Sequence, residues 1–85
     1  MPVAYVLINC DLGHEGEIID KIKQIPEVIE ATHVMGVYDI IVRVSSNDMF
    51  RLRKTIKLNI KNIQKIRSTL TMIVTEEPGK TTKTE

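Results

Sequence analysis

Three observations predict an α+β fold with the element order βαββαβ. First, Val28 to Met35 and Ile40 to Val44 are β-branched, apolar runs joined by Gly36-Val37-Tyr38-Asp39, the pattern of a hairpin. Second, two stretches carry apolar residues at spacings of three and four, the period of an amphipathic helix. Third, Val3 to Cys10 and Ile66 to Thr75 are short strand-like runs at the two ends of that pattern.

In order along the chain, Val3 to Cys10 is too brief for a helix and reads as the first strand, ended by Asp11-Leu12-Gly13-His14. From Glu15, residues Ile18, Ile22 and Ile25 form one helical stripe with Ile19 beside it. Glu17, Asp20, Lys21 and Lys23 cover the opposite side. Acids early and lysines late suit the helix dipole, and Pro26 stops the helix. The hairpin supplies strands two and three, with Gly36 at the position where φ can turn positive without a Cβ clash. Ser45-Ser46-Asn47-Asp48 offers several N-caps for a second helix, whose buried stripe is Met49, Leu52, Ile56, Ile60 and Ile63. Ile66 to Thr75 alternates apolar and hydroxyl residues as strand four. Residues 1–75 then form one domain, and 76–85, without apolar content, form a flexible tail.

This order is that of the ferredoxin-like split βαβ unit. Right-handed, un-knotted connections favour a four-stranded sheet in spatial order 4-1-3-2 with both helices on one face. The other face is then open. Strand parity places Tyr5, Leu7 and Asn9 there, together with Asp39, Ile41 and Arg43 from strand three. From strand four the same count places Thr69, Thr71 and Ile73 on the open face, with Leu70, Met72 and Val74 under the helices. Tyr5, Leu7, Ile41 and Ile73 gathered on one sheet face predict an oligomer interface.

Composition narrows the functional classes. A chain of 85 residues, 42% apolar, buries only roughly 60% of its unfolded surface, so association with copies of itself would add stability. The single Cys10 excludes an internal disulfide, and no basic leader or apolar span precedes the domain; a cytoplasmic protein is expected. A net charge of +1 does not argue for nucleic acid by itself. The distribution is lopsided, however: no acid lies between Asp48 and Glu76, a span holding Arg51, Arg53, Lys54, Lys57, Lys61, Lys65 and Arg67. Either this helix meets phosphate, or its charge answers the acidic first half of the chain. Stacked sheet aromatics of an RNA-recognition motif are missing. His14, His33 and Cys10 lack metal-ligand spacing, no nucleophile has a base and an orienting acid, and no phosphate loop is present. A non-enzymatic protein without metal or cofactor is expected.

Three segments taken together are more specific: Ile25-Pro26-Glu27-Val28-Ile29-Glu30-Ala31, then Val34-Met35-Gly36-Val37-Tyr38-Asp39-Ile40-Ile41-Val42, then Ile66-Arg67-Ser68-Thr69-Leu70-Thr71-Met72-Ile73-Val74. Their order and spacing resemble the effector-binding domain of the Lrp/AsnC regulators, also called the RAM (regulation of amino-acid metabolism) domain, from about Val3 to Thr75. The resemblance implies a ligand site built from Gly36, Val37, Tyr38 and Asp39 with Thr69 and Thr71. It also implies dimers formed by packed sheets, rings of octamer or decamer type, and an amino-acid effector where dimers meet. Full-length regulators of the family become candidate partners. Full-length members carry a winged helix-turn-helix ahead of this domain; here the chain opens at strand one, so a stand-alone effector domain without sequence-specific DNA binding is expected. Asp39 would accept from the ligand ammonium, while N–H groups near Gly36 and the threonine hydroxyls would donate to its carboxylate. Two alternatives belong to other classes: a small dimeric α+β-barrel enzyme, and a nucleic-acid binder through the basic second helix.

Overall fold

Backbone pairing in the computed structural model, which describes residues 2–74, follows the expected order. Strand β1 (Val3–Cys10) leads to helix α1 (Glu15–Lys23), and strands β2 (Val28–His33) and β3 (Ile40–Ser45) form the hairpin. Helix α2 (Met49–Lys54) continues into a π-helical segment (Thr55–Ile60), and strand β4 (Ile66–Val74) closes the fold. The sheet order is β2-β3-β1-β4, the expected 4-1-3-2 read from the other edge. Neighbouring strands are antiparallel throughout. The tail expected over 76–85 lies outside the described residues.

Helix α1 buries Ile18 and Ile22, with Glu15 and Glu17 in its first turn and Lys21 and Lys23 in its last. The cap of α2 is Asp48, whose Oδ1 accepts from the Phe50 N–H at 3.0 Å. Leu52, Ile56 and Ile60 are buried at steps of four. Four residues overshoot an α-helical turn of 3.6, so such a stripe drifts off a straight α-helix. The wider i→i+5 turn keeps it on the core, and the Lys61 N–H bonds the Ile56 carbonyl at 3.0 Å. Ala4, Val6 and Ile8 from β1 and Ile40, Val42 and Val44 from β3 join Ile18, Ile22, Leu52, Ile56 and Ile60 in one core, so both helices cover the same sheet face.

One expectation is overturned. Thr69, Thr71 and Ile73 pair with Ile8, Val6 and Ala4, all buried against the helices, so they face the helices and not the open side. Leu70, Met72 and Val74 take the open face instead and are 44%, 47% and 49% exposed. The cause is a bulge. Cys10 pairs with Ile66 while Asn9 pairs with Ser68, which inserts one extra residue into β4. Ile66 packs on the core, so an alternation counted from it inverts after the bulge. Three cross-strand rows result on the open face: Ile41–Leu7–Leu70, Arg43–Tyr5–Met72 and Ser45–Val3–Val74. Tyr5, Leu7 and Ile41 therefore lie where parity put them, and Ile73 does not. Glu30, opposite Arg43, holds its guanidinium at 3.2 Å.

Candidate functional site

The hairpin tip is a loop of residues 34–39, closed by the Val34 N–H on the Asp39 carbonyl at 2.8 Å. It begins two residues earlier than the apolar run suggests, because β2 ends at His33 and leaves Val34 and Met35 in the loop. Asp39 fastens the tip to the end of β1 in two ways. Its N–H donates to the Ile8 carbonyl at 2.9 Å, and its Oδ2 accepts from the Cys10 N–H at 3.0 Å. A carboxylate has about four lone-pair positions, so one backbone bond leaves capacity for a ligand cation. Burial pushes the Cys10 thiol up from its ordinary pKa, and the Asp39, Glu15 and Asp11 carboxylates add to the effect. The thiol therefore stays protonated and is a poor nucleophile.

Gly36 has φ +142°, in the half of backbone space that favours glycine. A Cβ there would meet nothing within 4 Å, so the demand comes from the backbone alone. Gly36→Ala is expected to destabilise the fold by about 1 kcal/mol or more. Gly16→Ala, at an unhindered position in α1, should stabilise it by about 0.5–1 kcal/mol. Urea midpoints of the two variants check the contrast, and equal shifts would remove the backbone argument.

Flanking Gly36, Met35 and Val37 are 96% and 82% exposed, while Tyr38 is half-buried. Leu12, two residues past the end of β1, is 91% exposed. These three apolar side chains belong to the same end of the sheet, since Asp39 ties the tip to Cys10. Large apolar groups so fully in water make this end of the sheet a candidate interaction surface. Leu12 and Met35 were missed by sequence reasoning, although a leucine in Asp11-Leu12-Gly13 is a usable signal.

Gly36, Val37, Tyr38 and Asp39 thus come together at one tip, and Thr69 and Thr71 do not join them. Thr69 pairs with Ile8 on the side of β1 opposite the one Asp39 bonds, which puts about 10 Å of sheet between them at roughly 4.8 Å per strand. Thr71 Oγ1 is buried without a hydrogen-bond partner among the described residues. Within one chain, the threonines belong to the helix side of β4. Among the described residues no group of three or more His, Cys, Asp or Glu is placed to hold a metal ion, and no helix is long and apolar enough to cross a membrane.

Comparison with known proteins places this geometry. The model of the Lrp/AsnC ligand binding domain matches residues 3–84. The HTH-type transcriptional regulator FL11 of Pyrococcus furiosus is 27% identical over 81 residues, which cover 95% of this chain and 53% of that protein. The chain thus spans about half the length of the curated relative it matches. Among solved structures, the hypothetical protein PHS023 from Pyrococcus horikoshii is 36% identical with a TM-score of 0.84, covering 91% of this chain and 93% of that one. The Neisseria meningitidis regulator NMB0573, solved as an L-Met complex, shares the fold at 15% identity and a TM-score of 0.71, covering 95% of this chain and 54% of that one. With its family model matched along almost its whole length, the chain belongs to the Lrp/AsnC family through the ligand-binding domain of those regulators.

Proposed function

We propose that this chain is a non-enzymatic amino-acid-binding regulatory module, with the ligand held at the tip of the β2–β3 hairpin where dimers meet. The tip carries the reading: a glycine at positive φ, exposed Met35 and Val37, and a carboxylate with acceptor capacity left over. An α-amino acid presents an ammonium to such a carboxylate and a carboxylate to the backbone N–H groups of such a loop. The L-Met complex of NMB0573 supports the ligand class. Thr69 and Thr71 would reach a ligand only from a neighbouring subunit, since β1 separates them from the tip within one chain. Dimers form through the open sheet face, and the apolar ends Leu12, Met35 and Val37 join dimers into octamers or decamers. Full-length relatives such as FL11, a transcriptional regulator, are the partners that would read the signal.

A thermal-shift screen against the twenty amino acids, with assembly size measured alongside, tests this. A ligand at a hundred times its dissociation constant stabilises by about 2.7 kcal/mol, so an effector raises the melting temperature by several degrees. A screen in which no amino acid moves the transition would overturn the proposal.

The purified 85-residue chain is also expected to show no sequence-specific duplex binding. Both helices are committed to the sheet and the net charge is +1. Any weak association should disappear as salt is added, since a contact made to phosphates alone is lost by counterion competition. Retardation of one defined operator that survives physiological salt would restore the basic helix as a DNA reader.

A further inference from the structure

From Arg43 onward the cations of the chain differ in their pairing. Arg43, Arg51 and Arg67 lie within 4 Å of Glu30, Glu27 and Asp11. Arg53, Lys57 and Lys61 pair with no carboxylate among the described residues, and all three line one groove between the helix and β4. Its volume is about 430 Å³ and its other walls are Ile56, Ile73 and Thr71. That volume falls in the range of roughly 300–1,000 Å³ of small-molecule sites. The π-helical segment runs through the middle of the groove wall, between Arg53 and Lys61. Such i→i+5 turns are rare and concentrate at functional sites.

We propose that this groove binds a phosphorylated organic anion, with its phosphates along the cation row and its apolar part on Ile56 and Ile73. Three cations at steps of four residues make a row of at most about 12 Å at the α-helical rise of 1.5 Å per residue, shortened where the turn is π-helical. A row suits a chain of phosphates better than a single carboxylate, which one bidentate arginine would satisfy. The apolar floor is wasted on a bare polyanion but takes the flat or hydrocarbon part of an organic one. No aromatic side chain lines the groove, so it lacks the stacking platform of a single-strand nucleic-acid site. This site is separate from the hairpin tip and does not depend on amino-acid binding there.

Calorimetry at physiological salt, with the whole chain and with ATP, tripolyphosphate and adenosine as probes, tests the proposal. ATP should bind once per chain and at least tenfold more tightly than tripolyphosphate, with adenosine undetected at the same concentrations. The double variant Lys57→Gln with Lys61→Gln should lose at least tenfold in ATP affinity. Lys21→Gln with Lys23→Gln, which removes the same charge from α1, should stay within twofold of the parent. Absence of ATP binding would overturn the proposal, and so would equal losses in the two double variants, which reflect net charge alone. Equal affinity for tripolyphosphate would replace it with a bare polyanion site, and adenosine binding as well as ATP would remove the cations from it.

Discussion

If the open sheet face is the proposed dimer interface, Leu70→Asp should leave the protein monomeric with its subunit folded. Leu70 stands on the open sheet face in a row with Leu7 and Ile41, and it is 44% exposed in the isolated chain. An aspartate there costs the lone subunit little, since water reaches it. In a sheet-to-sheet dimer the same carboxylate is buried without a partner, at a cost of several kcal/mol. Ile41→Asp should act in the same direction from the other end of that row. Ile73→Asp provides the contrast. Its side chain faces the helices and packs on the core, so the charge should lower the melting temperature of the subunit itself. Light scattering and melting curves on the three variants separate the outcomes. A well-folded Leu70→Asp protein of unchanged mass would eliminate packing through the open face.

The second large effect is expected at Asp39, where two roles share one carboxylate. Its Oδ2 accepts from the Cys10 N–H, and the proposed ligand ammonium uses the charge. Asp39→Asn keeps a side-chain oxygen for the backbone donor and removes the charge. It should weaken amino-acid binding at least tenfold, which is about 1.4 kcal/mol, with little change in the melting temperature of the free protein. Asp39→Ala removes both, leaving the Cys10 N–H unsatisfied, and should add a stability loss of about 1–3 kcal/mol. Calorimetry and urea unfolding on both variants decide the matter. If Asp39→Asn binds the amino acid as tightly as the parent does, Asp39 is a fastening for the end of β1 and the site lies elsewhere.

The fold was legible because the period of the apolar pattern changes cleanly along the chain, from strand-like to helical at Glu15 and again at Asp48. The hairpin was legible because Gly36 separates two β-branched runs. What composition could not reveal was local phase. The bulge opposite Asn9 and Cys10 depends on how two distant strands pair, and nothing in Ile66-Arg67-Ser68 announces it. For that reason strand parity puts Thr69, Thr71 and Ile73 on the wrong face, while it puts Tyr5, Leu7 and Ile41, on strands with no such slip, on the face they occupy. The π-helical segment left a faint trace in the steps of four from Leu52 to Ile60. The second job of Asp39, fastening the tip to β1, leaves no trace in the sequence, since a backbone N–H twenty-nine positions away carries no side-chain signal.

That single inserted residue in β4 sets how apolar the open face of the sheet is. Remove it, and the strand beyond it rotates by half a turn of its pleat. Leu70, Met72 and Val74 would then lie beneath the helices, and the threonines would meet water. The open face would then carry Thr69, Thr71 and Ile73 beside Tyr5, Leu7 and Ile41, a less apolar surface than the one displayed now. With the insertion in place, part of the apolar material of β4 is displayed outside, while Thr71 carries a hydroxyl inward. The bulge thereby enlarges the apolar area that the proposed self-association would cover, while the core beneath the helices is complete in the single chain. A deletion of one residue between Ile66 and Ser68 would shift the balance between solitary and assembled forms without altering any residue of the interface itself.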